Sequence, residues 1–175
     1  MSVLKEPAPA KPITAILISP SVEQRECFEM LEKHFGKMDF ISEEVHFDYS
    51  SYYEPEMGKG LIKRFIAYRD LCKQDELVSL KLLATEIEDR FKTNGKRRLN
   101  IDPGIVTLER LVLATGKNYT HRVYLRKGIF ADLTLIFKRG TFTSLPWTYP
   151  DYKEPLVVEW FNKIRQKYKF QLSSL

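Results

Sequence analysis

The sequence lacks the glycine-rich motifs that hold phosphates in familiar nucleotide-binding folds. Neither G-x-x-x-x-G-K-[ST] nor G-x-G-x-x-G occurs, and the closest glycine pair, in Gly58-Lys59-Gly60, does not have the required spacing. The three histidines and two cysteines are too scattered for a zinc site, and no serine is marked as the nucleophile of a catalytic triad. The sequence therefore gives no support for a conventional phosphate loop, a zinc centre or a serine hydrolase.

Cysteines and long apolar runs are also scarce. Cys27 and Cys72 lie in segments that read as ordered structure, which predicts two buried, reduced thiols rather than a disulfide framework. No window approaches the roughly 20 apolar residues of a membrane span, and no apolar run long enough for a secretory signal follows Met1. We therefore expect a cytoplasmic protein with no membrane partner, and the sequence leaves its oligomeric state open.

Size and composition predict one compact domain. The chain has 175 residues, of which 43% are hydrophobic and 29% are charged, and these values are typical of a protein with a single buried core. Pro7, Pro9 and Pro12 lie in the first dozen residues, which favours a flexible arm over residues 1–12. We expect residues 13–175 to form one domain.

Positive charge is concentrated in one segment. Residues 92–127 contain nine basic and two acidic residues, a net charge of +7, whereas the whole chain has +5 and the remainder therefore about −2. A local positive field favours anionic partners such as phosphate groups, nucleotides or nucleic acid. The alternative interpretation is that many of these lysines and arginines are solvated loop residues without a partner.

Apolar periodicity predicts a succession of strands and helices. Strands are expected over residues 13–18, 40–49, 61–71, 98–102, 121–125, 129–137 and 141–145. Helices are expected from a capping box at 21–24 to about 35, from Asp75 to about 91, and from Pro155 to about 169. Pro103-Gly104 is expected to stop the fourth strand. Residues 105–115 favour a short helix, with a buried strand over residues 111–114 as the alternative. Lys127-Gly128 and Arg139-Gly140 are expected to turn two hairpins.

This order of elements predicts an α+β fold. We expect a single layered domain in which a mixed or largely antiparallel sheet is covered by three or four helices. The helix that starts near Asp75 carries Glu86 and Glu88 two positions apart, so the two carboxylates point in different directions. They are expected to be solvated helix charges rather than a paired carboxylate site.

The candidate site combines carboxylate, amide, basic and imidazole side chains from several loops and strands. Carboxylates and an amide could hold Mg²⁺, basic side chains could neutralise phosphate oxygens, and an imidazole could move a proton. We expect catalytic roles for His121, Asp102 and Asp132, and ligand binding by Arg98, Asn100, Lys117, Arg122 and Tyr149. The prediction is a small phosphate-bearing ligand, with nucleotides among the candidates, in a basic cleft. Phosphoryl or phosphoester chemistry and a Mg²⁺ cofactor are left open.

Structural roles compete with this interpretation. Asp102 precedes Pro103-Gly104 and suits a turn, where Arg98 or Arg122 would simply pair with it. The aromatic residues of segment 147–152 could stack on a base, although aromatic side chains near a closing helix more often pack in the core. The alternative functions are a non-enzymatic RNA- or DNA-binding module, which would use the basic segment and exposed tyrosines, and a protein interaction scaffold.

Five ordered motifs cover nearly the whole chain after the proline-containing arm. They are Tyr52-Tyr53 with Glu56-Met57-Gly58, Asn100-Ile101-Asp102-Pro103-Gly104, Val112-Leu113-Ala114-Thr115 with Lys117, His121-Arg122-Val123-Tyr124-Leu125, and Trp147-Thr148-Tyr149-Pro150-Asp151-Tyr152. Together they resemble the prokaryotic family designated domain of unknown function 4416, whose members are sometimes labelled GTP-binding proteins. The resemblance implies a single-domain bacterial or archaeal protein, makes GTP a candidate ligand, and carries no established reaction.

Overall fold

The computed structural model describes residues 3–174. These residues form nine strands and four helices. The strands are β1 (Lys11–Ile18), β2 (Met38–Ile41), β3 (Val45–His46), β4 (Ile62–Tyr68), β5 (Leu99–Val106), β6 (Arg110–Thr115), β7 (Arg122–Arg126), β8 (Ile129–Lys138) and β9 (Thr141–Ser144). The helices are α1 (Gln24–Phe35), α2 (Glu54–Met57), α3 (Leu77–Arg90) and α4 (Pro155–Leu172), with 3₁₀ turns at Ser51–Tyr53, Gln74–Glu76 and Pro150–Lys153.

All of these strands join one antiparallel sheet. Its order is β2-β4-β1-β5-β6-β8-β7, with β3 also paired to β4 and β9 to β8. The interior strand β1 lies between β4 and β5, and each of its residues is buried. The packing of α4 against one face and of α1 and α3 against the other makes the sheet the middle of three layers. The predicted α+β class is therefore confirmed.

Side chains of the sheet alternate between two apolar cores. On β1, Ile13 packs in the core that contains Phe161 of α4, whereas Ile16 packs with Leu31 of α1 and Ile87 of α3. Full burial of one such aliphatic side chain contributes about 1.5–3 kcal/mol to stability. The two cores together hold the sheet between its helices.

The sheet begins within the segment expected to be an arm. Ala10 pairs with Cys72 in an isolated bridge, and β1 starts at Lys11. The fully buried ammonium group of Lys11 donates hydrogen bonds to Asp39 Oδ2 (2.7 Å), the Tyr68 carbonyl oxygen (2.8 Å) and Gln171 Oε1 (2.8 Å). One lysine therefore connects β1 with β2, β4 and α4.

Both predicted hairpin turns are confirmed. Lys127 and Gly128 connect β7 to β8, and Arg139 and Gly140 connect β8 to β9. All four residues have positive φ, between 54° and 85°, as the type I′ turns favoured in tight hairpins require. The three long helices are also present where they were predicted, as α1, α3 and α4.

The predicted helix caps are wrong. The residue before α1 is Glu23, and the Ser21 hydroxyl instead contacts the Ser19 hydroxyl, with 3.0 Å between the two oxygens. Asp75 lies inside the 3₁₀ turn that precedes α3, whose N-cap position is Glu76. Serine and aspartate side chains bond readily to nearby groups in turns, and this local bonding competes with capping.

The predicted stop at Pro103-Gly104 and the predicted helix over residues 105–115 are also wrong. β5 continues through both residues to Val106, and β6 contains the buried strand over residues 111–114 that was the alternative. Pro103 has no N–H to donate, and an N–H at this position of β5 would point away from β1 and towards β6. Because β5 and β6 have already separated there, no hydrogen bond of the sheet is lost. The next strand lacks polar alternation because both of its faces are buried, with Leu113 in the α4 core and Ala114 in the core beside α3.

The strand predicted over residues 40–49 is two short strands, β2 and β3. Between them, Ser42 exchanges two hydrogen bonds with Phe65, one through its backbone N–H and one through its hydroxyl, both 2.9 Å long. Arg64 Nε donates a further hydrogen bond to the Ser42 carbonyl oxygen (2.8 Å). Side-chain bonding replaces part of the regular ladder here, and the chain then enters the loop over residues 47–53.

Cys27 and Cys72 are both free thiols, as the sequence predicts. Cys27 is buried, whereas Cys72 is only partly buried. Burial raises the pKa of each thiol to about 12. Both side chains are therefore protonated near neutral pH and are poor nucleophiles.

Gly104 offers a direct test of how closely β5 approaches β6. A methyl group on Gly104 would lie 2.6 Å from the Val112 carbonyl oxygen and 2.7 Å from Leu113 Cδ2. We expect Gly104→Ala to lower the free energy of unfolding by at least about 1–3 kcal/mol, the usual effect of overpacking. In urea denaturation, Gly116→Ala is the matched control, because a methyl group there meets no described atom within 4 Å. Equal stability of the two variants would contradict this packing.

Candidate functional site

The candidate site lies at a fork between β5 and β6. The two strands pair only where Gly104–Val106 faces Leu111–Leu113, and the first half of β5 leaves β6. Two side chains of α3 bond to the backbone that this separation frees. Glu88 Oε1 accepts the Ile101 N–H (2.5 Å), and Lys81 Nζ donates to the Ile101 carbonyl oxygen (2.9 Å). The fork is therefore open without unsatisfied backbone groups at Ile101.

A cavity of about 560 Å³ occupies the fork. Its walls include Ala15 and Leu17 of β1 and Leu113 of β6. Two loops complete it, one over residues 47–53 and one over residues 149–152. The first loop is held by a small apolar cluster in which Phe47 and Tyr53 pack on Leu17, Met57 and Leu61. The volume falls within the range of small-molecule sites.

Five of the eight side chains singled out in the sequence line this cavity. They are Asn100, Asp102, Lys117, Asp132 and Tyr149. His121 and Arg122 reach it through Asp132, which they contact. Arg98 is not among the lining residues; its neighbour Arg97 is.

Asp132 is the point where three of the predicted residues meet. Arg122 Nε donates to Asp132 Oδ2 (2.7 Å), and His121 Nε2 lies 3.4 Å from the same oxygen. Arg122 also donates to the Lys117 carbonyl oxygen (2.9 Å) and to the Tyr149 hydroxyl. One guanidinium group therefore fixes the Asp132 carboxylate, the Lys117 loop and the Tyr149 wall relative to each other.

The His121 ring forms the middle of an aromatic stack. Its centroid lies 5.0 Å from that of Trp147 and 6.2 Å from that of Tyr119, with interplanar angles of 13° and 19°. His121 Nε2 is buried and makes no hydrogen bond to residues 3–174. The imidazole is thus positioned against Asp132 and does not form part of the cavity wall.

Asp102 belongs to a second network, which is built from β5 and α3. Its Oδ2 accepts a hydrogen bond from Asn100 Nδ2 (2.9 Å), and Lys81 Nζ lies 3.6 Å from its Oδ1. Arg97 Nη1 donates to Asn100 Oδ1 (3.1 Å) and also binds Glu56 through two nitrogens, at 2.9 and 2.7 Å. Neither Arg98 nor Arg122 pairs with Asp102, contrary to the structural alternative.

The Arg97–Glu56 pair shifts both pKa values. Hydrogen bonding to Glu56 raises the pKa of Arg97, and hydrogen bonding to Arg97 lowers the pKa of Glu56. Both groups therefore stay charged near neutral pH. The resulting bidentate bridge holds Arg97 where it orients the Asn100 amide.

A buried ion pair between Lys63 and Asp151 was missed in the sequence. Lys63 Nζ donates to Asp151 Oδ2 and lies 5.1–5.5 Å from the ring centroids of Phe47, Phe65 and Tyr152. Strand alternation puts Lys63 on the same face of β4 as Phe65, which packs in the core. This alternation was the one sign in the sequence that Lys63 is buried. The pair anchors the 149–152 loop to the sheet.

Glu88 is buried, whereas the sequence predicted a solvated helix charge. Only 6% of its surface is exposed, and burial raises the pKa of its carboxyl group. Lys81 and the Ile101 N–H act in the opposite direction, since both favour the carboxylate. Glu86, two positions earlier, is exposed as predicted.

The charges of the cavity wall balance each other, so the expected basic cleft is not present. The charged lining side chains of the described chain are Lys63, Lys81, Arg97 and Lys117 against Glu88, Asp102, Asp132 and Asp151. Three of the four cations have a carboxylate partner. Within residues 3–174, Lys117 has none, and its Nζ lies 4.4 Å from the ring centroid of Tyr52.

Two tyrosines that line the cavity have hydroxyl groups with unused hydrogen-bonding capacity. Tyr152 is 2% exposed, and its hydroxyl has no hydrogen-bond partner in the described chain. Burial raises the pKa of both Tyr149 and Tyr152, so both hydroxyls are protonated near neutral pH. The Tyr149 oxygen accepts from Arg122, which leaves its own hydrogen available. A buried hydroxyl without a partner costs free energy unless a ligand or water satisfies it.

Neither a metal cluster nor a membrane helix is found in residues 3–174. No group of three or more His, Cys, Asp or Glu side chains in this part could hold a metal ion. None of its helices is both long enough and apolar enough to cross a membrane.

Fold and site together define an α+β domain with one antiparallel sheet and a charge-balanced cavity at a strand fork. The chain belongs to the family described as Domain of unknown function (DUF4416), whose model matches residues 8–168. The resemblance found in the sequence motifs is thereby confirmed. No curated protein and no solved structure matches the chain.

The raised pKa of Glu88 predicts how stability depends on pH. Folding favours the protonated carboxyl group, so the free energy of unfolding contains a contribution that is present below the unfolded pKa, near 4.5, and is lost as pH rises through the folded pKa. Glu88→Gln retains an acceptor for the Ile101 N–H but does not titrate. We therefore expect the stability of the wild type, relative to Glu88→Gln, to increase as pH falls from 7 towards 4.5.

Urea denaturation at several pH values measures the difference in free energy of unfolding between the wild type and Glu88→Gln. The contributions of the other titrating groups are common to both proteins and cancel in this difference. Glu86→Gln, which removes an exposed carboxyl group from the same helix, is the control. A wild-type advantage over Glu88→Gln that stays constant, or shrinks as pH falls, would contradict the burial of this carboxyl group.

Proposed function

We propose that this protein binds a small phosphate-bearing ligand, specifically a nucleotide, in the cavity at the β5–β6 fork. One observation carries the proposal: the cavity combines one cation without a carboxylate partner, Lys117, with a buried hydroxyl that lacks a hydrogen-bond partner in residues 3–174, that of Tyr152. A ligand that brings an anionic group to the first and a polar atom to the second would satisfy both.

The phosphate would bind at Lys117. This lysine is exposed in the loop after β6, where an anion can reach it without crossing the cavity. The other lining cations are already neutralised, so the site favours one phosphate group over several. GTP, the candidate suggested by the family label, would bring three phosphate groups to a wall with one unpaired lysine, and we therefore favour a monophosphate.

The planar ring of a nucleotide would lie between aromatic walls. Phe47, Tyr53 and Tyr149 line the cavity and offer faces for stacking. Asp102 and Asp132 are acceptors for N–H groups on a base edge, and the Tyr152 hydroxyl is a donor for a ring nitrogen or carbonyl oxygen. Because Arg122, Asn100 and Lys81 hold the two carboxylates, these acceptors are oriented before the ligand enters.

Catalysis by Asp102, Asp132 and His121 stays a prediction. In this proposal Asp102 and Asp132 contact the ligand directly. His121 would act on it only through Asp132, whose carboxylate it faces at 3.4 Å. Arg122 is a positioning residue, because its guanidinium group is used by Asp132, the Lys117 carbonyl oxygen and Tyr149.

Thermal unfolding with nucleoside monophosphates and triphosphates, with and without Mg²⁺, tests the proposal. We expect a monophosphate to raise the melting temperature of the wild type. Lys117→Ala removes a charge-assisted hydrogen bond of about 1.5–3 kcal/mol, so its affinity should fall roughly 10- to 150-fold. Tyr152→Phe removes a neutral hydrogen bond of about 0.5–1.5 kcal/mol and should weaken binding by about two- to tenfold.

Two controls separate binding from folding. Tyr152→Phe should unfold, without ligand, at or above the wild-type temperature, because the hydroxyl that it loses has no partner within the described chain. Lys33→Ala, which changes an exposed lysine of α1 that does not line the cavity, should bind like the wild type. No stabilisation by any nucleotide, or equal stabilisation of the wild type and Lys117→Ala, would contradict the proposal.

A further inference from the structure

The exposed aromatic side chains are concentrated around the cavity. Among residues 3–174, the large aromatic side chains that are strongly exposed are Tyr49, Tyr52, Tyr119, Tyr124, Trp147, Tyr149 and Phe170. Tyr49, Tyr52 and Tyr149 line the cavity itself. Only Phe170, near the end of α4, lies on a different part of the molecule. Single exposed aromatic residues need no explanation, but a cluster at one site indicates a binding surface.

The rings outside the cavity continue from its wall. The Arg122 guanidinium carbon lies 4.6 Å from the ring centroid of Tyr119 and 6.0 Å from that of Tyr149. Tyr119 stacks on His121, and His121 stacks on Trp147. Tyr149 at the cavity and Tyr119 outside it are therefore joined by one guanidinium group.

The same surface extends onto the sheet. In the pairing of β7 with β8, Arg122 lies opposite Asp132, and Tyr124 lies opposite Phe130. The two pairs are two residues apart along each strand, so their side chains are on the same face of the sheet. The Tyr124 and Phe130 rings are in edge contact, with centroids 5.3 Å apart. We call the surface formed by Tyr119, Tyr124 and Trp147 the aromatic platform.

The segment that carries most of the platform is strongly basic. Residues 110–131 contain five basic residues and no acidic residue. They are Arg110, Lys117, Arg122, Arg126 and Lys127. Arg122 is paired with Asp132, and Arg110 and Arg126 line a second cavity with Leu77 and Val78 on the α3 face of the sheet. Lys117 and Lys127, in the loops at the two ends of β7, are therefore the cations on which attraction of a polyanion depends. A second copy of the chain would bring like charge to the platform, since the chain has a net charge of +5.

We propose that the nucleotide in the cavity is one unit of a single-stranded nucleic acid, whose neighbouring nucleotides stack on the aromatic platform. This inference rests on the proposed function of the cavity. It accounts for the single unpartnered cation there, because each nucleotide of a strand brings one phosphate. It also accounts for the platform, since bases of any sequence stack on exposed tyrosine and tryptophan rings next to basic side chains. RNA and DNA share this chemistry.

Fluorescence anisotropy with labelled oligonucleotides of about 12 units, within the usual range of strand-binding sites, tests the inference. Oligo(U), oligo(A), oligo(dT) and oligo(dA) are compared with the matching mononucleotides. We expect at least one oligonucleotide to bind about tenfold or more tightly than its mononucleotide. Tighter binding of the ribo- or the deoxyribo-series shows whether the site prefers RNA or DNA.

Platform variants separate stacking from binding in the cavity. Tyr124→Ala and Tyr119→Ala should each lower oligonucleotide affinity by about 5- to 100-fold, as expected for loss of one base stack. Tyr124→Ala, which lies outside the cavity, should leave mononucleotide binding unchanged. Phe170→Ala, which removes an exposed ring on α4, is the matched control and should change neither. For about three phosphate contacts, log affinity should fall with log salt concentration with a slope of about −2.

The outcomes distinguish failure of the inference from failure of the proposed function. If a mononucleotide binds but oligonucleotides bind no more tightly, or if the platform variants bind like Phe170→Ala, the inference is overturned and the proposed function stands. If mononucleotides do not bind and Lys117→Ala leaves oligonucleotide affinity unchanged, both are overturned. Self-association lost in Tyr124→Ala, without oligonucleotide binding, would assign the platform to a second copy and would also overturn the inference.

Discussion

The separation of β5 from β6 is the constraint on which the candidate site depends. Gly104 allows the two strands to approach closely at one point, and Pro103 next to it has no N–H to offer to β6. Beyond that point, Glu88 and Lys81 bond to the N–H and carbonyl groups of Ile101. Leaving a buried group of this kind unpaired costs about 1–3 kcal/mol, so these two side chains stabilise the open fork and with it the cavity.

Charge pairing then determines what the cavity can accept. Lys63 with Asp151 and Arg122 with Asp132 are nearly buried pairs, and removing one partner would leave an uncompensated charge. They hold the loops against the sheet and fix the carboxylates in place. Because the other cations that line the cavity are paired with carboxylates, Lys117 is the lining cation that can bind an anionic ligand. A wall whose other charges are paired, with one cation at its exposed side, suits a small ligand with one phosphate.

Much of the fold was predictable because its determinants are local. The apolar run of β1, the spacing of Trp160, Phe161 and Ile164 on α4, and the glycine turns of the hairpins each depend on nearby residues. The fork was not predictable, since the tolerance of Pro103 depends on where β6 goes. In the site, strand alternation was enough to predict that Asn100 and Asp102 share one face of β5. The burial of Lys63 was not predictable in this way, because it depends on Asp151, 88 positions away in the sequence.

A structure of the protein bound to the nucleoside monophosphate that stabilises it most would test the central claim directly. The account predicts the ligand in the cavity, with a phosphate oxygen within hydrogen-bond distance of Lys117 Nζ and a polar atom of the base within the same distance of the Tyr152 hydroxyl. A ligand bound elsewhere, or bound in the cavity with its phosphate away from Lys117 and the Tyr152 hydroxyl still without a partner, would contradict it.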